Sequence, residues 1–213
     1  ELKTPLQSII GSAELLENGL VKPEDQPRFL NRIHQEADRL VALINDILRL
    51  SQLDEGGALP HEQVSVLELA QEAARSLTAQ AAAQAVHISV TGTAGTVFGV
   101  RRLLYEIARN LCENAVKYNV PGGSVTVEVA ETDRDVTLLV RDTGIGIPEG
   151  DQSRVFERFY RVDKSHSRAI GGTGLGLSIV KHAVAYHHGT LRLESQPGKG
   201  TVITVTLPKK PTE

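Results

Sequence analysis

Three groups of residues in this chain have the types and spacings to handle a nucleotide-like polyanion. The first is Gly171-Gly-Thr-Gly-Leu-Gly-Leu-Ser178, with four glycines in six residues, running into an apolar-periodic segment from Ile179 to His188. Glycine lets the backbone approach a ligand closely and adopt positive φ. N–H groups at a helix start point outward, and the helix dipole favours an anion there. Such a turn is a candidate phosphate cradle or simply a flexible loop. The second group, Asn110, Asn114, Lys117 and Tyr118, lies in a helical pattern from Val100 to Tyr118. Asn110 and Asn114 are four apart and share a face, with Lys117 close to it. Asparagine is a poor helix-interior residue. The pair is therefore either a solvated face or a ligand contact, in which an amide oxygen suits Mg²⁺ and the ammonium suits phosphate. The third group is Asp142-Thr-Gly-Ile-Gly-Ile-Pro148, at the end of a strand pattern. The Asp142 carboxylate could accept a hydrogen bond from an exocyclic amine such as that of adenine, or it could cap its own turn.

A fourth segment, Pro148 to Gly172, is long, charged and aperiodic, and contains Phe156-Glu-Arg-Phe-Tyr-Arg161 and Lys164. Loops of this length inside a domain are commonly lids or disordered. Its aromatics could anchor it, and Arg158, Arg161 and Lys164 could reach phosphates. Its acidic residues nearly balance those cations, so a solvated face is the competing reading.

The elements that must position these groups follow from periodicity. Residues 1–20 carry apolar residues at alternating spacings of four and three (Leu2, Leu6, Ile9, Ala13, Leu16, Leu20), a heptad seam. Pro5 is expected to bend this helix or remove one backbone bond. Val21 to Gln26 reads as a turn, and Pro27 suits the first turn of a second heptad helix through Leu30, Ile33, Ala37, Leu40, Ile44 and Ile47. The pair makes an antiparallel hairpin over residues 1–54. Its long seam predicts a homodimeric four-helix bundle, against the alternative of a hairpin packed on its own chain. Residues 55–63 read as a linker. Beyond them, strands are expected at Val64–Val66, Val86–Val90, Ser124–Ala130, Val136–Arg141, Thr190–Glu194 and Thr201–Leu207. Helices are expected at Leu67–Gln84, Val100–Tyr118 and Leu175–His188. Helices alternating with antiparallel hairpins make the class α+β, a sheet covered by helices over residues 64–208.

The composition is that of an ordinary soluble domain. The formal net charge of −3, without a charged tail, argues against direct non-specific nucleic-acid binding. The single cysteine, Cys112, allows no intramolecular disulfide and fits a small core residue in a reducing compartment. No apolar run approaches a membrane span. The chain starts inside a periodic pattern and has no methionine, so it reads as a fragment of a longer protein.

Taken in order, the Asn-containing helix, DTGIGIP, FERFYR and GTGLGLSIVK resemble the N, G1, F and G2 boxes of sensor histidine kinases. These belong to the ATPase class shared with gyrase, the heat-shock-90 chaperones and MutL. Glu1-Leu-Lys-Thr-Pro-Leu6 resembles the segment that follows the phosphoacceptor histidine in the family's H box. The resemblance implies a dimerisation hairpin followed by a catalytic ATP-binding domain, a two-layer α/β sandwich. It implies ATP with Mg²⁺ coordinated by Asn114, and a pocket lined by Asn110, Lys117 and Tyr118. Asp142, Gly144, Gly146 and Ile147 would lie about the adenine. Tyr160 and Arg161 of the lid would reach the nucleotide, Arg161 stabilising the γ-phosphate, and Gly172, Thr173, Gly174, Leu175, Gly176 and Leu177 would form the cradle. Glu1 would act as the base beside the acceptor, and Thr4 would orient water when a partner is dephosphorylated. The implied partners are a second copy of the chain and a response-regulator receiver domain. The implied setting is the cytoplasmic portion of a protein with an upstream sensor or membrane region. The resemblance departs in two places: none of the seven histidines sits in the acceptor motif, which places the acceptor just before Glu1, and Val100 stands where the family often has Asp. An ATP-binding dimeric module or phosphatase without kinase activity is the competing function.

Overall fold

A computed structural model of the protein describes residues 2–54, 59–162 and 173–210. Helices α1 (Lys3–Glu17) and α2 (Gln26–Asp54) form the expected hairpin, and Arg32 Nε donates to Ser8 Oγ across it at 3.2 Å. Pro5 does not disturb α1. The N-cap is Leu2, so Pro5 falls in the first turn, where a backbone N–H has no intrahelical acceptor to lose.

The second unit is a five-stranded sheet covered by helices. Its strands are β2 (His87–Gly92), β4 (Ser124–Glu131), β5 (Asp135–Asp142), β6 (Thr190–Gln196) and β7 (Gly200–Pro208), in the spatial order β2-β4-β5-β7-β6. Strands β2 and β4 are parallel, with Ile88 opposite Val125, and every other pairing in this sheet is antiparallel. A parallel pair needs a long crossover, and here it carries α5 (Arg101–Lys117). Alternate residues of β4 (Val125, Val127, Val129) and of β5 (Val136, Leu138, Val140) are buried against α5, whose Leu104, Ile107, Leu111 and Val116 complete the core. Helix α7 (Gly176–Tyr186) lies beside α5 and buries Val180, Ala183 and Val184 in the same core.

Three expectations are corrected. The first strand is β1 (Glu62–Ser65), and Val66 opens helix α3 (Val66–Ser76) instead of extending it. Ser65 Oγ accepts from the Glu68 N–H at 3.3 Å, an N-cap that ends the strand. The expected helix over Leu67–Gln84 is two, α3 and α4 (Thr78–Ala83). At the break the Ser76 hydroxyl donates to Ala73 O (2.7 Å) and the Thr78 hydroxyl to Arg75 O (2.9 Å), so side chains compete with the backbone ladder. A strand absent from the expectation, β3 (Thr96–Gly99), pairs antiparallel with β1. It has only four residues, too few for alternation to stand out. Among the described residues of the charged loop after β5, Glu149–Gln152 form a short helix, α6.

Val100 is the N-cap residue of α5 and has no side-chain acceptor of its own, yet its N–H is satisfied: it donates to His187 Nε2 at 3.0 Å. His187 Nδ1 lies 2.7 Å from Ala183 O. An amide N–H can only donate and a carbonyl can only accept, so the ring is neutral with its proton on Nδ1. A histidine from the end of α7 thereby satisfies the N-cap residue's own N–H, a different donor from the N2 or N3 N–H that an Asp side chain at position 100 would take. Burial holds the His187 pKa below its ordinary 6.5, with the Ala183 bond opposing. The unfolded chain therefore takes up this proton first, so the contribution to stability is full above 6.5 and is lost as pH falls from there through the lower folded-state pKa. One such group adds a slope of at most about 1.4 kcal/mol per pH unit. Urea midpoints between pH 7.5 and 5.5 are expected to fall more steeply for the native chain than for His187→Gln; parallel slopes would exclude this histidine as the group.

Candidate nucleotide-binding site

The glycine turn and the asparagine face meet. A Cβ built on Gly176, the first residue of α7, would fall 2.9 Å from Asn110 Oδ1 and 3.8 Å from Asn114 Nδ2. A side chain at this position would have to push the Asn110 amide aside. Asn110 is held from behind, its Nδ2 donating to Glu106 O (2.8 Å) and to Glu106 Oε2 (3.3 Å), so its Oδ1 faces the turn. Glu106 is a buried carboxylate that joins the asparagine face. Its signal lies in the spacing: Glu106, Asn110 and Asn114 recur every four residues and form one polar stripe along the helix. These carboxylate and amide oxygens are hard donors and fit a cation such as Mg²⁺ that shares its ligation with phosphates and water. Among the described residues no group of three or more His, Cys, Asp or Glu side chains could hold a metal by itself.

Lys117 and Tyr118 follow at the end of α5, with Lys117 Nζ 5.4 Å from the centre of the Tyr118 ring. The Lys117 pKa is lowered to about 8, chiefly by burial, with Glu113 opposing and Arg161 and Arg39 adding to the shift. It is still mainly protonated at neutral pH and can pair with phosphate. Burial likewise raises the Tyr118 pKa.

Asp142, at the end of β5, is half-buried. Its Oδ1 accepts from the N–H groups of Gly144 (2.8 Å) and Thr201 (3.2 Å), so Oδ2 is the oxygen that can accept from a ligand. Burial raises its pKa, and the two backbone bonds work against the rise. The loop after it is pinned at several points: the Ile145 N–H donates to Tyr118 O (3.1 Å) and the Ile147 N–H to Ser195 Oγ (2.8 Å). Gln152 Nε2 donates to both Ile147 O and Ser195 O, at 3.0 and 2.9 Å. Gly146 has φ +69° and its Cβ position is 2.0 Å from Gln196 O, so no other residue fits. Sequence reading gave no sign of the Ser195 and Gln152 clamp, because its members are distant in the chain.

Residues 154–160 meet the glycine turn from the other side. The Phe159 N–H donates to Gly174 O at 2.9 Å, and the Tyr160 hydroxyl donates to Asp151 Oδ1. The Arg154 guanidinium stacks over the Tyr160 ring, 4.3 Å from its centre. Thr173 Oγ1 accepts from the Leu175 N–H at 3.3 Å. Leu175 itself is fully buried with Ile179 and Leu43 of α2, flanked by Ile47 and Phe159, and Leu177 packs on the main core. Leu175 can therefore offer a ligand only its backbone. The structure brings together Asn110, Asn114, Gly176 and Gly174 with the lid, and Asp142, Gly144, Gly146, Ile147 and Tyr118 in an adjoining wall. Thr4 is exposed in the first turn of α1. Glu1, Lys164 and Gly172 lie outside the described residues.

Two family models match the chain. The histidine kinase-, DNA gyrase B-, and HSP90-like ATPase model covers residues 99–211, more than half of it. The His Kinase A (phospho-acceptor) domain model covers residues 1–56. The chain is 40% identical over 215 residues to the sensor-like histidine kinase SenX3 of Mycolicibacterium smegmatis, covering 99% of this chain and 56% of that protein. It is 35% identical over 224 residues to the sensor histidine kinase WalK of Bacillus subtilis, covering 99% and 35%. It thus spans about half the length, or less, of these relatives. Among solved structures, the mycobacterial sensor histidine kinase MprB matches with TM-score 0.62 and 33% identity, covering 72% of this chain and all of that one. The fold is also that of the histidine kinase ThkA in complex with the response regulator TrrA (TM-score 0.77, 21% identity, 99% of this chain and 59% of that one). The phospho-acceptor model and the ATPase model match successive parts of one chain, and the chain belongs to the sensor histidine kinases.

Proposed function

We propose that this chain is the kinase core of a two-component sensor: it binds Mg-ATP, transfers the γ-phosphoryl group to a histidine immediately before Glu1 in the parent protein, and passes it to an aspartate of a receiver domain. The observation that carries this reading is the seat of Gly176 against Asn110 and Asn114, which makes one site of the glycine turn and the polar face of α5. Asp142 Oδ2 binds the adenine amine. The α7 N-terminal N–H groups, Lys117 and Arg161 take the phosphates. Asn114 would hold Mg²⁺, which supplies charge neutralisation between the phosphates. Transfer breaks the bond between the γ-phosphorus and the β–γ bridging oxygen and forms a phosphorus–nitrogen bond. ADP leaves, and Glu1 accepts the imidazole proton. Such a reaction asks the protein for alignment and electrostatic stabilisation.

Two features support a homodimer through residues 1–54 and a docked receiver domain. Apolar residues stay exposed along both helices of the hairpin, among them Leu6, Ile10, Val41, Ile44 and Leu48. A second hairpin would cover them, since contiguous apolar patches on a lone surface mark interfaces. The exposed residue Thr4 lies where a receiver domain would dock on α1, and ThkA is a relative in fold whose structure contains a response regulator. Among the described residues no helix is long and apolar enough to cross a membrane. We place the kinase core on the cytoplasmic side of a membrane-held parent, where ATP is available.

Incubation with Mg-ATP of the chain extended upstream by its native residues tests the reading. Acid-labile phosphate, located by peptide mass on a histidine directly before Glu1, is expected. Nucleotide binding with no phosphohistidine would replace the kinase with an ATP-gated binding or phosphatase module.

A further inference from the structure

Arg39 sits on α2, one turn before Leu43, and residues four apart on a helix share a face. Leu43 is buried against Leu175 and Ile179, with Ile47 and Phe159 alongside. Leu175 is flanked by Gly174 and Gly176, so the face of α2 that carries Arg39 lies along the glycine turn. The Arg39 side chain is only 28% exposed, with its Nη1 3.9 Å from Glu36 Oε2 one turn away. Its charge reaches the site: together with Arg161 it disfavours the proton on Lys117, while Glu113 favours it. The charges of Arg39 on α2, Lys117 on α5 and Arg161 thus act on one another, with the carboxylate of Glu113 opposing at Lys117 and that of Glu36 beside Arg39. Like charges held at one place repel, and a polyanion between them relieves the repulsion.

We propose that Arg39 is a phosphate-facing residue of the nucleotide site, contributed by the hairpin, so that a bound triphosphate tightens the docking of α2 on α7. The inference rests on the reading that this site takes ATP. The coupling runs both ways: if triphosphate favours docking, docking favours triphosphate by the same factor. The hairpin then senses whether the catalytic domain is loaded, through Arg39 held in place by the Leu43 contact.

Calorimetric titration of the whole chain with Mg-ATP and with adenosine tests this. Arg39→Ala is expected to weaken Mg-ATP about 5-fold, the range for a partly exposed charged contact, and to change adenosine by less than about 2-fold. Arg39→Lys should recover part of the loss, because a cation is restored. Leu43→Asp, which undocks α2, should weaken Mg-ATP similarly, and the double variant should add little, since both changes remove the same interaction. Unchanged Mg-ATP affinity in Arg39→Ala, equal losses for adenosine, or full additivity with Leu43→Asp would each overturn the inference and leave the nucleotide reading standing. A native chain that binds neither ligand overturns both.

Discussion

Asn114→Ala is expected to abolish phosphoryl transfer, lowering turnover by at least about 100-fold, the scale for removing one group that stabilises a charged transition state. The substitution takes a hard oxygen from the face of α5 that meets the glycine turn, and Asn110 lies one helical turn away with its amide held in place by Glu106. The loss should appear as a failure to hold the metal: Mg²⁺-dependent ATP affinity falls, whereas the modest metal-independent affinity remains. The fold should survive, since Asn114 is half-buried and the core positions of α5 are Leu104, Ile107, Leu111, Ala115 and Val116. The check is autophosphorylation of the extended chain, with melting temperature as the control. Normal phosphorylation in this variant would end the assignment of the Asn114 face as the metal and phosphate site.

The second large effect concerns the base. Asp142→Asn is expected to weaken ATP by about 10- to 100-fold, the range for a hydrogen bond to a charged group, and to leave inosine triphosphate nearly untouched, since that nucleotide lacks the exocyclic amine. The choice of Asn separates two roles. Oδ1 of Asp142 organises the loop by accepting from Gly144 and Thr201, and an Asn oxygen can keep both bonds. Its second position then presents an NH₂ to the adenine amine, donor against donor. Asp142→Ala removes both roles and should weaken both nucleotides, though ATP more. Equal losses for ATP and inosine triphosphate in the Asn variant would mean that Asp142 only shapes its own loop.

The two predictions differ in how far the sequence alone supports them. Asp142 stands at the end of a clear alternating strand, and two glycines close behind mark a backbone approach, so its position and neighbours are local matters. The asparagines are four apart on a helix, which is also local. What the sequence could not show is that this face meets a glycine far downstream, because the crossover that brings α5 against α7 is a property of the whole sheet. Leu175 and Leu177 carry something the motif does not show: besides their place in the glycine turn, their side chains pack into apolar clusters.

Local physics set the elements themselves. Heptad spacing determined the hairpin, alternation determined the long strands, and the apolar stripe of α5 determined its length to within a residue or two. Where tertiary structure intervened, the cause was a group from elsewhere in the chain or a competing short-range bond. Ser65 capped a helix whose first residue periodicity had given to a strand. Two hydroxyls split α3 from α4. The four-residue β3 became a strand only by pairing with β1. Val100, a residue with no capping group, starts a site helix because His187 from the end of α7 accepts its N–H. The sequence by itself determined which side chains carry the chemistry and on what elements they ride. Only the tertiary structure decided that Gly176 seats on Asn110 and that Leu43 brings Arg39 alongside, since periodicity reports the face of one element and never the element that will cover it.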